Sequence, residues 1–197
     1  MSGLHPAEAL LLARYFMYTQ VYFHQVRRIY DIHLCDFLVE WLPNGKFPTD
    51  IYELQNISDN NVLVEVWQAA THKDHELHEM ACRLVKRKHY RRLYERNPED
   101  LSINPHIGKV VFDQVKEVFG SENVRRDNYT QKGSTVDFPV LYNNGRIISS
   151  FLLSETLQRL PVASLDYIFI RPDLLKEGQV WFEKNIQKML SMVAKEE

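Results

Sequence analysis

One stretch constrains this chain more than any other: residues 7–42, AEALLLARYFMYTQVYFHQVRRIYDIHLCDFLVEWL, carry apolar side chains at helical spacing without interruption. Pro6 suits a first helical turn, and Pro43-Asn44-Gly45 supplies a stop. A single helix over 7–42 would run about 50 Å at about 1.5 Å per residue. It also carries polar groups, and propensity alone does not hold a helix of that length, so partners on several sides are implied.

The remaining pattern is read around this helix. Ile57-Ser58-Asp59 reads as a cap before Val62-Leu63-Val64-Glu65-Val66-Trp67, followed by a tight join near Thr71 and a further helix over 74–84. Residues 86–96 form a basic, aromatic tail to this helix pair. Asn97-Pro98-Glu99-Asp100 breaks the pattern, which sets the expected organisation as a helical part over 1–97 and an α+β lobe over 98–197. In the lobe, 107–119 reads as a helix ended by Gly120. Residues 124–128, 138–142 and 146–151 read as strands, the last two joined by the hairpin signal Asn143-Asn144-Gly145. Ser154 opens a short helix, a strand over 165–171 stops at Pro172, and an amphipathic helix over 178–194 buries Trp181, Phe182, Ile186 and Met189. The expected fold is mainly α with a C-terminal α+β lobe: a long N-terminal helix, a helical subdomain, and a small, largely antiparallel sheet packed by helices.

Composition narrows the function classes. With 197 residues, 45% of them hydrophobic and 25% charged, the chain is long enough to bury a real core. A formal charge of -2 gives no global electrostatic case for nucleic acid, although a neutral total can hide a basic patch. Cys35 and Cys82 sit far apart inside apolar helical patterns, which suits buried thiols of a reducing compartment and a cytoplasmic location. No apolar run reaches the roughly 18 residues of a membrane span.

Several familiar sites are absent from the sequence: a phosphate loop, a dinucleotide fingerprint, a GxSxG elbow and a CxxC pair. His72, His75 and His78 would spread over about 120° of a helix, but zinc needs convergent neutral imidazoles, and a solvated helix start accounts for the same residues. Residues 86–96 supply Lys88, Arg91 and Arg92 as candidate phosphate or regulatory contacts, with tyrosines that could stack on single-stranded bases. A solvated or subunit-facing helix end fits them too, since cations there complement the helix dipole. Spacings of four place Arg14, Tyr18 and Tyr22 on one face, with His24 just beyond. A forked guanidinium above two phenols suits a nucleoside phosphate, and aromatic stripes of this spacing also serve as core.

These same segments resemble a known family. Residues 14–38 are similar to the helix that follows the metal-binding core of HD-domain phosphohydrolases, and the likeness is nearest to dNTP triphosphohydrolases of the sterile-alpha-motif-and-HD-domain type and their bacterial relatives. Residues 84–94 look like the later YRxLF/Y element, and 136–185 like the C-terminal lobe. The resemblance implies that Arg14 contacts the triphosphate, that Tyr22 packs beside sugar and base, and that Tyr18 and His24 are substrate-side positions. It places Arg91 on a position associated with nucleotide regulation. The family holds its divalent metal (Mg, Mn, Fe or Ni) with a His, a His-Asp dipeptide and a distant Asp, and none of the eight histidines here is followed by Asp. The expectation is therefore a C-terminal portion whose catalytic metal would sit in an upstream HD half. Its implied partners are that half or the same subunit in an oligomer, and a dNTP. A regulatory or oligomerisation module, and a single-stranded nucleic-acid binder through residues 86–96, are the alternatives.

Overall fold

The computed structural model describes residues 3–130, 137–142 and 144–192. Helix α1 (Leu4–Met17) leads into a π-helical turn, Tyr18–Tyr22, and after Phe23 and His24 the chain resumes as α2 (Gln25–Trp41). The short α3 (Ile51–Gln55), α4 (Asp59–Thr71) and α5 (His78–Val85) precede strand β1 (Arg91–Glu95). Helices α6 (Pro98–Ile103) and α7 (Ile107–Phe119) follow, then β2 (Val124–Thr130), β3 (Pro139–Leu141) and β4 (Ile147–Ser149). Helices α8 (Ser150–Leu153) and α9 (Glu155–Gln158), strand β5 (Ser164–Ile170) and helix α10 (Leu175–Leu190) complete the described residues. The fold is mainly α with a small sheet packed by helices, as the sequence implies.

The chain forms two compact units, one of residues 1–24 and 128–166, the other of 25–127 and 167–197. In the larger unit, strand order is β1-β5-β2, and β1 pairs antiparallel with β5 in the register Arg91↔Ile170, Arg92↔Phe169, Tyr94↔Ile168, with a bulge between Arg92 and Tyr94. Helices α7 and α10 pack together, and both contact β1. The main core joins Tyr94, Val111, Val115, Ile168, Ile170 and Met189, with Trp181, Phe182 and Ile186 of α10 packed against it. Gly178 makes this approach close: a Cβ there would meet Ile170 Cδ1 at 3.0 Å. Gly120, at φ 89, closes α7 in the left-handed region that favours glycine.

A second core sits where α2, α4 and α5 meet, built from Phe37, Val66, Ala69, Ala70, Ala81 and Cys82. Ser58 caps α4 through a reciprocal box with Asn61, as Ile57-Ser58-Asp59 implies. Arg28 of α2 grips Asp127 of β2 with two charge-assisted bonds, Nε to Oδ2 at 2.6 Å and a terminal nitrogen to Oδ1 at 2.7 Å. The Asp127 carboxylate is nearly buried, so this pair fixes the helix against the sheet.

In the smaller unit, α1 contacts α9, and β3 pairs antiparallel with β4. Phe23 is buried, with its ring 5.5 Å from Tyr18 and 5.3 Å from Tyr129.

Several expectations are corrected. The long helix is not continuous. Phe23 N–H donates to the Tyr18 carbonyl, five residues back, at 2.8 Å, and Thr19 Oγ1 donates back to the Tyr15 carbonyl at 3.1 Å. Such a back-bond loosens the regular ladder. Residues 91–95 of the basic segment form a strand rather than a helical tail, because β5 offers them a pairing edge. The helix expected over 74–84 starts at His78. The strand expected over 146–151 ends at Ser149, where Ser149 caps α8 instead. Asn143 of the hairpin and residues 193–194 of the last helix lie outside the described residues. Cys35 is exposed rather than buried; Cys82 is buried, and both thiols are free. Among the described residues no helix is long and apolar enough to cross a membrane.

Candidate functional site

In the smaller unit the structure assembles the ladder that the spacing suggests. The Arg14 guanidinium carbon lies 5.7 Å from the Tyr18 ring centroid, and the Tyr18 and Tyr22 rings are 5.4 Å apart at 55°. Arg14 is exposed and Tyr22 is 42% exposed, whereas Tyr18 is half-buried against Phe23. The outer two side chains are therefore accessible while the middle one anchors them. His24 follows the π turn and is exposed. The π turn is what sequence periodicity misses, since one extra residue in a turn leaves the apolar pattern nearly intact. Such turns recur at functional sites, because they shift side chains out of the regular helical register.

The basic segment is divided by the strand it forms. Arg91 and Arg92 border a groove of about 230 Å³ with Gln25, Val26 and His89, while Lys88 faces a different cleft. A guanidinium only donates, so an Arg91 N–H donates a hydrogen bond to His89 Nε2, 2.9 Å away. Burial, then the nearby Arg91 and Arg87 charges, holds the His89 pKa below the usual histidine range. Arg92 pairs with Glu95. Tyr90 and Tyr94 are 1% and 5% exposed, so neither presents a face on which a base could stack.

Tyr90, read from the sequence only as a stacking tyrosine of the basic segment, has a packing role that the sequence did not reveal. Its amide donates to His33 Nε2 at 3.1 Å, its hydroxyl donates to the Glu122 carbonyl at 2.7 Å, and the Arg83 guanidinium lies 4.9 Å from its ring centroid. Burial pushes the phenol's pKa up, which keeps it a neutral donor. No sequence signal joins Tyr90 to His33 and Glu122, because each contact spans tens of residues.

The three clustered histidines are spent on local structure. His72 Nδ1 lies 2.9 Å from the Gln68 carbonyl, His75 Nε2 lies 3.3 Å from Glu65 Oε1, and His78 Nδ1 lies 2.9 Å from the Ala69 carbonyl with Nε2 3.5 Å from Cys82 Sγ. Among the described residues no group of three or more His, Cys, Asp or Glu side chains could hold a metal ion.

No curated protein matches the chain. Among solved structures it is similar to a hypothetical protein from Aquifex aeolicus, with 29% identity and a TM-score of 0.74 over 91% of this chain and 45% of that one. It is also similar in fold to a phosphohydrolase from Bacteroides thetaiotaomicron, with 16% identity and a TM-score of 0.58 over 86% of this chain and 50% of that one. The chain thus spans about half the length of these two relatives. The family model for the HD-associated region matches residues 1–118, which cover the ladder, the π turn and the basic strand, and the chain belongs to that family.

Proposed function

We propose that this chain is the C-terminal part of a metal-dependent HD-family phosphohydrolase of the dNTP triphosphohydrolase type, and that it contributes one wall of the nucleotide pocket. The observation that carries this reading is the Arg14–Tyr18–Tyr22 ladder, set on a π turn inside the HD-associated region. In this reading Arg14 holds phosphate oxygens through its forked donors, Tyr22 lies along the sugar and base, Tyr18 buttresses both, and His24 borders the same wall. Among the described residues no group of side chains fits a catalytic metal, so activation of the attacking water is assigned to an HD half outside this sequence. Arg91 and Arg92, beside the His89 groove, are assigned to a regulatory anion contact. A cytoplasmic setting suits two free thiols.

Partnership with an HD half is supported by the length relation to the solved relatives and by large apolar side chains left uncovered, among them Leu63 at 54% and Trp67 at 60% exposure. The single-stranded nucleic-acid alternative loses its stacking platforms, since Tyr90 and Tyr94 are buried. The test is triphosphate release from a panel of dNTPs with Mn²⁺ or Mg²⁺, measured for this chain alone, for a polypeptide carrying the HD ligands alone, and for the two mixed. Release that requires the mixture supports the reading. Release by this chain alone contradicts it, as does silence of a mixture shown to associate, which would favour a regulatory or oligomerisation module.

A further inference from the structure

The cleft that Lys88 faces has a volume of about 590 Å³, within the range of small-molecule sites, and lies wholly within the larger unit. Arg83, Arg87, Lys88 and Arg171 line it, with Glu79 and Asp173 as the opposing charges. Arg171 is neutralised in place: its Nε donates to Asp173 Oδ1 at 2.9 Å, and that pairing pulls the Asp173 carboxyl below the usual carboxylate range. Arg83, Arg87 and Lys88 make no ion pair among the described residues, so three cations face one remaining carboxylate.

Complementing the negative end of α5 does not account for all three. Arg83 already occupies its last turn, and the dipole effect fades within one turn. Beyond the helix end, the connection into β1 turns through a left-handed C-cap, with Arg87 at φ 53. The turn is tied down by Lys86 N–H and Lys88 N–H, which donate to the Cys82 carbonyl at 3.0 and 3.4 Å. Arg83 is held over the Tyr90 ring, which is itself pinned by its bonds to His33 and Glu122. One cation is thus preset by stacking, and two are displayed on a fastened turn.

We infer that this cleft is a binding site for a small phosphate-bearing anion, a phosphate monoester or a polyphosphate, with Arg83, Arg87 and Lys88 as its donors. A small anion fits better than a nucleic-acid strand, because the cations converge on one cleft and the adjacent tyrosine is buried rather than offered for stacking. The inference goes beyond the preceding reading and does not depend on it: none of these residues belongs to the Arg14 ladder or to the Arg91 groove.

The experiment is calorimetric titration of the whole chain at low salt with inorganic tripolyphosphate, a deoxynucleoside triphosphate and a single-stranded thymidine oligonucleotide. The same titrations are run on the Arg87→Glu/Lys88→Glu double variant and on Arg83→Gln. Arg87 and Lys88 are exposed, so the double variant keeps the wild-type circular dichroism. The expected result is saturable binding of tripolyphosphate that weakens at least tenfold in the double variant and severalfold in Arg83→Gln. Equal affinity for the nucleotide would mean that the cleft reads phosphate alone, and tighter affinity that it also reads the nucleoside; both support the site. Absence of saturable tripolyphosphate binding, binding of the oligonucleotide only, or affinity unchanged in the folded double variant would overturn it.

Discussion

His33 contributes to the pH response of the larger unit. It is 1% exposed, and burial, followed by the Arg83, Arg125 and His89 charges, pulls its pKa down from 6.5 to about 3. The folded chain keeps this imidazole neutral, while the unfolded chain protonates it below about 6.5. The unfolded state therefore binds more protons across the window from about pH 6.5 to about 3. Stability is full above that window and falls within it as the pH drops, by up to ~1.4 kcal/mol per unit for a single such group. His89, shifted in the same direction, adds to the slope. Urea unfolding at pH 7 and pH 5 measures it. In His33→Gln, which keeps an acceptor for the Tyr90 amide but does not titrate, the acid slope is expected to flatten; an unchanged slope would show that other groups carry it. At this scale the sequence reveals what local spacing controls. Arg14, Tyr18 and Tyr22 are four apart, and their contact follows from helical geometry. His33, Tyr90 and Glu122 are brought together only by tertiary packing, and neither composition nor periodicity records it.

At the scale of elements, punctuation was legible and pairing was not. Ser58, Gly120, Ser154 and Pro172 each act at the element end where they are expected, because caps and stops are local chemistry. The π turn at Tyr18–Tyr22 and the strand at Arg91–Glu95 escape for different reasons. The first adds one residue to a turn without spoiling the apolar pattern. The second is only five residues long, and its identity comes from β5, more than seventy residues away. Packing of α10 on this strand pair depends on the missing side chain at Gly178, where an added Cβ would sit 3.0 Å from Ile170 Cδ1 and 3.5 Å from Leu93 Cδ1. Gly178→Val inserts a branched side chain at that contact and is expected to destabilise the chain by about 1–3 kcal/mol. Chemical denaturation reads this as a lower midpoint at unchanged slope. An unchanged midpoint would mean that helix and sheet separate at little cost.

For the whole molecule, the proposal joins an arginine–tyrosine ladder that would meet phosphate to a metal for which the described residues form no ligand group. Membership in the HD-associated region family, a span of about half of each solved relative, and an accessible arginine–tyrosine ladder are the observations behind the proposal that this chain completes a site. The sequence made the family and the ladder legible, because both depend on motifs within a few turns of helix. It offered Lys88, Arg91 and Arg92 as phosphate contacts but did not show the cleft that gathers Lys88 with Arg83 and Arg171, because Arg171 reaches it from the far end of β5. The most direct measurement is kcat/KM for triphosphate release by the chain mixed with the HD half, compared between wild type and Arg14→Ala. Arg14 is exposed, so its removal leaves the fold intact. Loss of one charge-assisted phosphate contact predicts a fall of roughly ten- to a hundredfold. A kcat/KM within twofold of wild type, in a mixture that remains active and associated, would contradict the placement of Arg14 at the nucleotide.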